Sequence, residues 1–327
     1  MEVPCVRVPR EEGEATRQEL ADLGLLADAW ELTVEDGWLY VPVSDPDAVP
    51  DGYDVVSHDV PERDTQTTPA DLLDDPPSYE RLGDVAIVDE DDPDRAREVA
   101  DAIVASDLPV ETVLDRSSKV KGEHRVRDWE VLAGHGTETV HREYGCEYAL
   151  DLAEVYFSPR LSTERHRVAE QVTAGERAFD MFAGVGPFAI PFAKRGATVV
   201  GVDLNERAVE YLRENAERNG VADRVTAIAG DVRDVAPEYA DWADRIVMNL
   251  PHSADEFLDS AVTVAGDDCV LHYYDIQHED DRFGPGERAI RDAAEPAGYD
   301  VAVETRRTVR SYAPHEYNVC LDVRLTR

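Results

Sequence analysis

Three acidic residues in the second half of the sequence stand where predicted strands end, close to a pair of glycines. Asp180 closes an apolar strand just ahead of Gly184 and Gly186, Asp203 ends the next strand, and Asp231 follows the third. Glycines at such a turn let the backbone approach a ligand beside a helix N-terminus. A carboxylate after the second strand can accept hydrogen bonds from both hydroxyls of a ribose. This spacing predicts a nucleoside-binding site at the carboxyl edge of a parallel sheet.

Two cofactor classes fit this edge. The glycine pair, with Asp203 about 20 residues further on, also matches the fingerprint of NAD-dependent oxidoreductases. Asp180 favours S-adenosylmethionine, because this acid would repel a pyrophosphate but suits an amino group, and Asp231 suits the amine of adenine. An NAD-dependent oxidoreductase remains the alternative. We predict that S-adenosylmethionine is bound by Asp180, Phe182, Gly184, Gly186, Asp203, Leu204, Asp231, Val232 and Asn249.

A second group of residues could act on a planar base. Asn249 and Pro251 end the fourth predicted strand, in a turn made rigid because proline fixes its own φ and restricts its predecessor. Glu164 falls in the first turn of a helix that residues 162–163 can cap. We interpret the asparagine as orienting a base and the glutamate as a general base in the cleft. A plain strand-ending turn and a capping box are the simpler alternatives, and the role of His252 in the same turn stays open.

The elements that position these residues alternate between strand and helix. Over residues 155–327 this alternation predicts an α/β fold with a doubly wound, mainly parallel, Rossmann-like methyltransferase sheet. Two closing strands without an intervening helix predict an antiparallel hairpin at its edge. Two smaller α/β units precede the sheet. We therefore predict domains over residues 1–60, 79–154 and 155–327, with a linker at 61–78.

The motifs together resemble one known family. The segments YFSPRLSTER, DMFAGVGPF, GVDLN and NLPHSADEFLD, in this order and spacing, are similar to those of archaeal tRNA (guanine-37-N1)-methyltransferases. The resemblance covers about residues 80–327, and residues 1–60 resemble the small N-terminal domain of many members. It implies transfer of a methyl group from S-adenosylmethionine to N1 of guanosine 37 in the tRNA anticodon loop. It also implies that the N-terminal domain contacts the outer corner of the tRNA.

The resemblance also implies roles for single residues. Glu164 matches the general base of the family, and Asn249 with Pro251 matches its catalytic turn. Arg125 matches the arginine that positions the guanine, although Arg127 fits almost as well. Tyr156 and Arg160 match positions that lie around the cofactor and the target base in the family.

Alternatives of other kinds remain. A related enzyme of the wybutosine pathway moves the aminocarboxypropyl group of the same cofactor, and methylation of a tricyclic intermediate at nucleotide 37 would use a similar site. A non-catalytic RNA-binding module with a vestigial cofactor pocket is a different class.

The composition is strongly acidic. The 327 residues include 71 acidic and 33 basic residues, which gives a net charge of -38, and only three of the basic residues are lysines. This balance argues against nucleic acid as a partner, but it is also typical of proteins hydrated in molar salt. It resembles the proteomes of halophilic archaea. Three short segments, 116–127, 160–167 and 305–310, are locally basic and predict an RNA path. Their predicted RNA contacts are Lys119, Lys121, Arg127, Arg160, Arg165, Arg306, Arg307 and Arg310.

The remaining features point to the cytoplasm. The four cysteines are widely spaced, so we expect reduced core residues and neither a disulfide nor a metal site. No apolar run is long enough for a membrane span, and the first residues lack the apolar region of a signal peptide. We expect a cytoplasmic monomer that does not contact membranes.

Overall fold

The computed structural model describes residues 2–63, 66–116 and 128–327. Contacts divide the chain into two compact units, Met1–Thr68 and Pro69–Arg327. The division falls within the segment predicted as a linker. The predicted domains at 79–154 and 155–327 both lie in the second unit, so the boundary between them stays a prediction.

The first unit is a four-stranded antiparallel sheet in the order β2-β3-β1-β4, with one helix. Its elements are β1 (Glu2–Pro9), α1 (Gly13–Asp22), β2 (Thr33–Glu35), β3 (Trp38–Pro42) and β4 (Asp54–Asp59). Asp36 and Gly37 join β2 to β3 with φ angles of 51° and 86°. Two positive φ angles are what a tight hairpin turn requires, and Asp-Gly tolerates them. Strands β2 and β3 pair antiparallel across this turn and form a hairpin.

The second unit begins with a small sheet and a separate hairpin. Its elements are β5 (Tyr79–Leu82), β6 (Val85–Val88), α2 (Pro93–Ala105), β7 (Thr112–Asp115), β8 (Glu130–Ala133), β9 (Glu138–Glu143) and β10 (Cys146–Asp151). The first four strands pair in the order β5-β6-β7-β8, and β9 pairs with β10. Helix α2 starts where the Asp92 side chain accepts a hydrogen bond from the Asp94 amide, with Pro93 in its first turn. It connects β6 to β7, which are parallel.

The main sheet has seven strands in the order β13-β12-β11-β14-β15-β17-β16. The strands are β11 (Arg177–Asp180), β12 (Thr198–Asp203), β13 (Val225–Ala229), β14 (Ala243–Met248), β15 (Ala265–His278), β16 (Asp300–Ala313) and β17 (Glu316–Thr326). The helices around it are α3 (Ser162–Ala169), α4 (Ala189–Lys194), α5 (Glu206–Arg218), α6 (Val232–Val235), α7 (Leu258–Val264) and α8 (Gly284–Ala294). Strands β11 to β15 are parallel, and β17 runs antiparallel to both of its neighbours. The predicted fold, including the antiparallel edge, is confirmed.

The strand order places a site at one edge of this sheet. The chain moves outward in one direction from β11 to β12 and β13, and in the other direction through β14 and β15. Ligands of open α/β sheets bind at the carboxyl ends of the strands where this direction reverses. The strands here carry apolar residues on both faces, and two separate hydrophobic clusters cover them. This packing fixes the loops that follow β11, β12 and β14.

Two further predictions concern the whole chain. All four cysteines are buried and unpaired, as predicted. Within the described part of the chain, no helix has the length and apolar character needed to cross a bilayer.

Candidate functional site

The carboxylate of Asp180 closes β11 in an unusual environment. Its side chain is 1% exposed. One oxygen accepts a hydrogen bond from the Phe182 amide at 3.4 Å, and the other, Oδ2, has no partner among the described residues. Burial, with the nearby charge of Asp203, raises the pKa of Asp180 to about 7. A buried carboxylate oxygen without a partner is costly, so this atom is suited to receive a cationic group of a ligand.

The glycine turn after β11 leaves its backbone open. Gly184 has a φ of 51°, and no atom lies within 4 Å of the position that a Cβ would take. Its amide donates to Asp203 Oδ2 at 2.7 Å, and the other oxygen of Asp203 accepts from the Asn205 amide at 2.9 Å. Gly186 has a φ of 96°, and a Cβ there would lie 2.6 Å from a methyl group of Leu212. The backbone conformation at Gly184 and the close packing at Gly186 therefore favour glycine, and the open side of Gly184 leaves room for a ligand to approach.

The loops after β12 and β13 supply an apolar and an acidic residue. Leu204 is 45% exposed, and Val232 is buried below the loop. Asp231 caps α6 by accepting from the Arg233 amide at 2.9 Å, and its carboxylate also accepts from the Arg233 guanidinium. This pairing lowers the pKa of Asp231. The predicted adenine contact of Asp231 would therefore compete with Arg233. Phe182 packs edge-on against Phe257 nearby, with 5.1 Å between ring centroids.

These features fit S-adenosylmethionine. The unpaired oxygen of Asp180 suits a positively charged group, the Gly184 backbone can be approached closely, and Leu204 offers an exposed apolar surface for a flat ring.

The turn after β14 holds Asn249. The Pro251 carbonyl accepts a hydrogen bond from the Ile276 amide at 3.1 Å, which ties the turn to β15. The Asn249 side chain is half-buried and makes no hydrogen bond to any residue that the structure describes. Its amide is therefore available to a ligand. His252 packs edge-on against Tyr312, with 5.2 Å between the ring centroids.

Glu164, the predicted base, is 3% exposed and surrounded by donors. Arg167 donates to both carboxylate oxygens, with Nη2–Oε1 at 2.7 Å and Nε–Oε2 at 3.0 Å. The Tyr274 hydroxyl donates to Oε1 at 3.1 Å. Arg307 Nε lies 2.8 Å from Oε2. Two guanidinium groups and a buried hydroxyl thus contact this carboxylate and fix its position.

A buried polar network continues behind Glu164. The Arg167 guanidinium also donates to both oxygens of Asp322, at 2.6 and 3.1 Å. Asp322 Oδ1 lies 2.7 Å from His272 Nδ1, and His272 Nε2 lies 2.7 Å from Arg245 Nη1. Because arginine only donates, Nε2 is the acceptor and the proton sits on Nδ1. Burial lowers the pKa of His272, and its proton donation to Asp322, with the Arg167 pair, holds the pKa of Asp322 well below its usual range.

This network also contains a group with metal-ligand chemistry. Atoms of His272, Cys320 and Asp322 lie within 4.8 Å of one another. Arg167 and Arg245 donate to the same imidazole and carboxylate. Two positive charges at these atoms oppose a bound cation, so we interpret the group as part of the hydrogen-bond network.

Strand register brings Asn249 and Glu164 to the same part of the sheet. Met248 pairs with Tyr273 at the end of β14, so Asn249 lies one residue beyond this pair, at the level of Tyr274. Tyr274 is the residue whose hydroxyl donates to Glu164. The two predicted catalytic residues are therefore connected through β15.

Tyr156 and Arg160 line a small cavity of about 120 Å³. Trp129, Arg116 and Arg310 also line it. Arg310 Nε is buried and has no partner among the residues described. The cavity thus combines aromatic rings with cationic groups, a combination that suits a nucleotide base and its phosphate.

The predicted role of Arg165 is corrected by its burial. Its guanidinium is 3% exposed and donates to Glu143 at 2.7 and 2.6 Å, and to the Ser158 carbonyl at 3.0 Å. It also lies over the Phe157 ring, 4.9 Å from its centroid. An RNA cannot reach this side chain as placed, so Arg165 holds α3 against β9.

The arginines of the basic segment at 305–310, which are predicted RNA contacts, do not all lie on one face of β16. Arg306 donates to Glu287 of α8 at 2.5 and 2.9 Å, whereas Arg307 pairs with Glu164. Successive residues of a strand point to opposite faces of a sheet. Arg306 and Arg307 of β16 are therefore on different faces.

The basic segment at 116–127 is only partly described. Arg116 pairs with Glu80 and with Asp89, the latter at 2.9 Å, and Arg160 shares Glu80 at 3.0 Å. The other predicted residues of this segment, Lys119, Lys121, Arg125 and Arg127, lie outside the described residues.

Sequence reasoning missed the partners of Glu164. Arg167 is three residues further along the same helix, a spacing at which charged side chains meet, so this pair could have been predicted. Tyr274 and Arg307 lie more than 100 residues away along the chain, and no local pattern indicates that they contact Glu164.

Comparison with known families gives three matches along the chain. The TRM5/TYW2 methyltransferase domain matches residues 139–302, half of the chain. The tRNA methyltransferase 5 N-terminal domain matches residues 5–50, and the TYW2 N-terminal domain matches residues 65–137.

Individual relatives include two kinds of enzyme. The tRNA (guanine(37)-N(1))-methyltransferase Trm5b of Pyrococcus abyssi is 39% identical over 98% of this chain and 99% of its own length. The tRNA(Phe) (4-demethylwyosine(37)-C(7)) aminocarboxypropyltransferase of Methanocaldococcus jannaschii is 33% identical over 76% of this chain and 98% of its own length.

Solved structures agree with this relationship. The crystal structure of Trm5b from Pyrococcus abyssi has a TM-score of 0.76 at 38% identity, covering 99% of this chain and all of that one. The complex of aTrm5 with tRNALeu has a TM-score of 0.72 at 31% identity, covering 98% of this chain and 99% of that one. TYW2 of M. jannaschii in complex with AdoMet has a TM-score of 0.62 at 31% identity, covering 76% of this chain and all of that one. With a family match over half of its length and relatives similar over nearly all of it, the chain belongs to the TRM5/TYW2 methyltransferase family.

Proposed function

We propose that this protein transfers a methyl group from S-adenosylmethionine to N1 of guanosine 37 in the anticodon loop of tRNA. The observation that carries the proposal is the buried Glu164 carboxylate, which two arginines contact and which accepts a hydrogen bond from Tyr274 of β15, the strand beside the Asn249 turn. Full-length similarity to a protein named for this reaction supports it. The NAD-dependent alternative has no support from the family.

S-Adenosylmethionine would be held at the carboxyl edge of β11 to β14. When bound, it supplies a methyl group on a sulfonium, and the electrons of the broken bond stay on sulfur. Asp180 Oδ2 would bind its amino group, and Asp203 its ribose. Phe182, Leu204, Asp231 and Val232 would surround the adenine.

Glu164 would act on the target base. Guanine N1 carries a proton at neutral pH and becomes a nucleophile only when that proton is lost. A carboxylate within hydrogen-bond reach can accept it as methyl transfer proceeds. Asn249 would orient the Watson–Crick edge, and Arg125 or Arg127 would stabilise the negative charge that develops on O6.

The tRNA would bind around this site. The target nucleotide must leave its stack to expose N1, and the cavity at Tyr156, Arg160 and Arg310 suits it or a neighbour. Lys119 and Lys121 would contact phosphates, and residues 1–60 would contact the outer corner of the tRNA. We propose that the protein works as a monomer in a cytoplasm of high salt, an environment that fits its acidic, lysine-poor composition.

One alternative reaction has a specific observation in its favour. The match to the TYW2 N-terminal domain and the similarity to an aminocarboxypropyltransferase allow transfer of the larger group of the same cofactor. The match of residues 5–50 to the tRNA methyltransferase 5 N-terminal domain favours methyl transfer. The similarity to the aminocarboxypropyltransferase, by contrast, covers only 76% of this chain. Methylation of a tricyclic intermediate uses the same nucleotide. The product mass distinguishes all three.

The decisive experiment uses labelled cofactor and tRNA transcripts in molar KCl. We expect one methyl group per tRNA and arrest of primer extension at nucleotide 37. A transcript with adenosine at that position is the control and should stay unlabelled. Methylation elsewhere would overturn the substrate assignment. Tight cofactor binding without turnover on any tRNA would support a non-catalytic RNA-binding module.

A further inference from the structure

The carboxylate of Glu164 takes its orientation from Arg167. Both residues lie on α3, and the arginine donates to the two carboxylate oxygens at 2.7 and 3.0 Å. The Tyr274 hydroxyl donates to only one oxygen, at 3.1 Å, and this single bond leaves the carboxylate plane free to turn. Arg167 contacts both oxygens with two nitrogens of a planar group, so it defines the plane.

Two side chains of one helix, however, fix each other only relative to that helix. Asn249 and the loops proposed to hold the cofactor follow strands of the main sheet. A general base must lie within about 0.5 Å of its productive position relative to the groups it works with. The Glu164–Arg167 pair therefore needs a firm link to the sheet.

Asp322 of β17 supplies this link. It is 2% exposed and accepts hydrogen bonds from Arg167 Nη1 at 2.6 Å and Nη2 at 3.1 Å. The guanidinium thus lies between two carboxylates, and its Nη2 donates to both Glu164 and Asp322. Because the side chain of Asp322 is short and its strand is paired on both sides, the guanidinium plane is fixed relative to the sheet.

The carboxylate of Asp322 is itself held on several sides. His272, its direct partner on β15, has Nδ1 at 2.7 Å from Oδ1, and Arg245 of β14 contacts the other nitrogen of that imidazole at 2.7 Å. Gln171, just after α3, donates to Oδ2 at 3.2 Å. The contacts of Asp322 therefore extend over three strands of the sheet, which suits an anchor and leaves it no freedom to follow a mobile arginine.

We propose that Asp322 is a positioning residue for methyl transfer, which acts through Arg167 to hold the Glu164 carboxylate in the orientation that accepts the guanine N1 proton. This inference rests on the proposed function of the same site. In that step the N1–H bond breaks, an O–H bond forms on Glu164, and the electron pair left on N1 forms the bond to the methyl carbon. The electrons of the broken bond to sulfur stay on sulfur.

The inference predicts a loss of rate without a loss of binding. Asp322 is too buried to contact RNA or cofactor, so its removal should leave both affinities close to those of the wild type. Misplacement of a reacting group by about 1 Å can cost about 10²-fold in rate.

The test uses Asp322→Asn, which keeps the size of the side chain and an acceptor for His272 but places an NH₂ group opposite Arg167 Nη1. With enzyme in excess and saturating cofactor, we expect the single-turnover rate of methylation to fall by about 10- to 100-fold. The Kd values for tRNA and cofactor should stay unchanged. Gln171→Ala is the matched control, because it removes another contact of Asp322 but leaves both bonds to Arg167. It should methylate at the wild-type rate.

A second comparison separates positioning from a general effect on structure. Arg167→Lys keeps the positive charge but loses the planar fork that joins the two carboxylates. If Asp322 acts through Arg167, Asp322→Asn should cause no further loss of rate when it is added to Arg167→Lys. Losses that multiply in the double variant would overturn the inference.

Two other results would also contradict it. A wild-type single-turnover rate in Asp322→Asn would show that the orientation of Glu164 does not depend on this residue. An equal loss in Gln171→Ala would mean that any damage to the buried network slows the enzyme. Circular dichroism shows which variants are folded at the assay temperature, and Asp322→Glu, which keeps the charge but displaces the carboxylate by one methylene, repeats the comparison if the asparagine variant unfolds. A wild-type enzyme that fails to methylate guanosine 37 would instead overturn the proposed function.

Discussion

Asp180 and Glu164 are both buried carboxylates, but their neighbours give them different properties. Asp180 has one backbone donor and an unpaired oxygen, and burial raises its pKa to about 7. Glu164 is equally buried but faces Arg167 and Arg307. The sequence places the first at a strand end and the second in a helix's first turn. It could not predict their surroundings, because Arg307 comes from a strand more than 100 residues away.

Replacing Asp180 by asparagine should separate cofactor binding from stability. The pKa of Asp180 is raised in the folded protein from 3.8 to about 7, so as the pH rises Asp180 loses its proton in the unfolded chain before it does so in the folded protein. The free energy of unfolding therefore falls as the pH rises between these two values, by a few kcal/mol at most. We expect Asp180→Asn to unfold at a higher temperature than the wild type at about pH 8, with little difference at about pH 4.

Calorimetry of the same variant supplies the second half of the test. S-Adenosylmethionine should stabilise the wild type but not Asp180→Asn, because its amino group loses the carboxylate. A variant that is less stable at both pH values, or that still binds the cofactor normally, would show that the unpaired oxygen has another role.

Replacing Glu164 by glutamine should remove the base while keeping its shape. We expect kcat to fall by about 10²–10⁴-fold, the usual contribution of general acid–base catalysis. Cofactor affinity should stay within a few fold, because the hydrogen-bond partners of Glu164 are not among the residues assigned to the cofactor. Single-turnover methylation and a binding titration measure the two quantities. Normal turnover would remove Glu164 from the mechanism.

At the scale of elements, helix α5 holds hairpin strand β10 with two asparagines. Asn215 accepts from the Ala149 amide at 2.7 Å and donates to the Ala149 carbonyl at 3.1 Å. Asn219 contacts the amide and carbonyl of Glu147 in the same way, at 3.0 and 2.7 Å. The two asparagines are four residues apart, a rise of about 6 Å along a helix. Their partners are two residues apart, about 6.8 Å along a strand. Because the two spacings match, the asparagines pair with the backbone of β10 as a neighbouring strand would.

Replacing Asn215 by leucine should test this contact. Asn215 is fully buried and also donates to the Val185 carbonyl at 3.0 Å, between the two glycines of the cofactor turn. Leucine leaves these backbone groups buried and unpaired, at a cost of about 3 kcal/mol. We expect that loss in denaturant unfolding, together with weaker cofactor binding. Asn219→Leu, at a half-buried position, is the matched control and should lose about 1 kcal/mol. Equal losses would contradict the argument.

Elements also show where sequence reasoning succeeded and where it stopped. The alternation of strands and helices, and the closing hairpin, follow from hydrophobic periodicity and were predicted. The basic segment at 305–310 is predicted as part of an RNA path, but the two-residue period of β16 places Arg306 and Arg307 on opposite faces. Likewise, Arg165 is predicted from the sequence as an RNA contact, but its side chain is buried and pairs with Glu143 of β9. Counting charges along a segment ignores the faces on which they lie.

At the scale of the molecule, the net charge of -38 should make folding depend on salt. Acidic groups repel one another over the surface, and the Debye length falls to about 3 Å at 1 M. We expect the unfolding temperature to rise steadily as KCl increases from low to molar concentration. Sorbitol at matched osmolality is the control and should have a smaller effect. A constant unfolding temperature would contradict the interpretation of the composition as an adaptation to high salt.

The position of β17 has a consequence for how the protein is made. This strand is inserted between β15 and β16, and it carries Asp322, which anchors Arg167 beside Glu164. A nascent chain emerging from the ribosome thus exposes the open edge of β15 until synthesis has passed residue 326, although the cofactor loops were made more than 70 residues earlier. A ribosome that stalls within this last hairpin would release a chain whose glycine turn is complete but whose proposed general base, Glu164, lacks the support of β17.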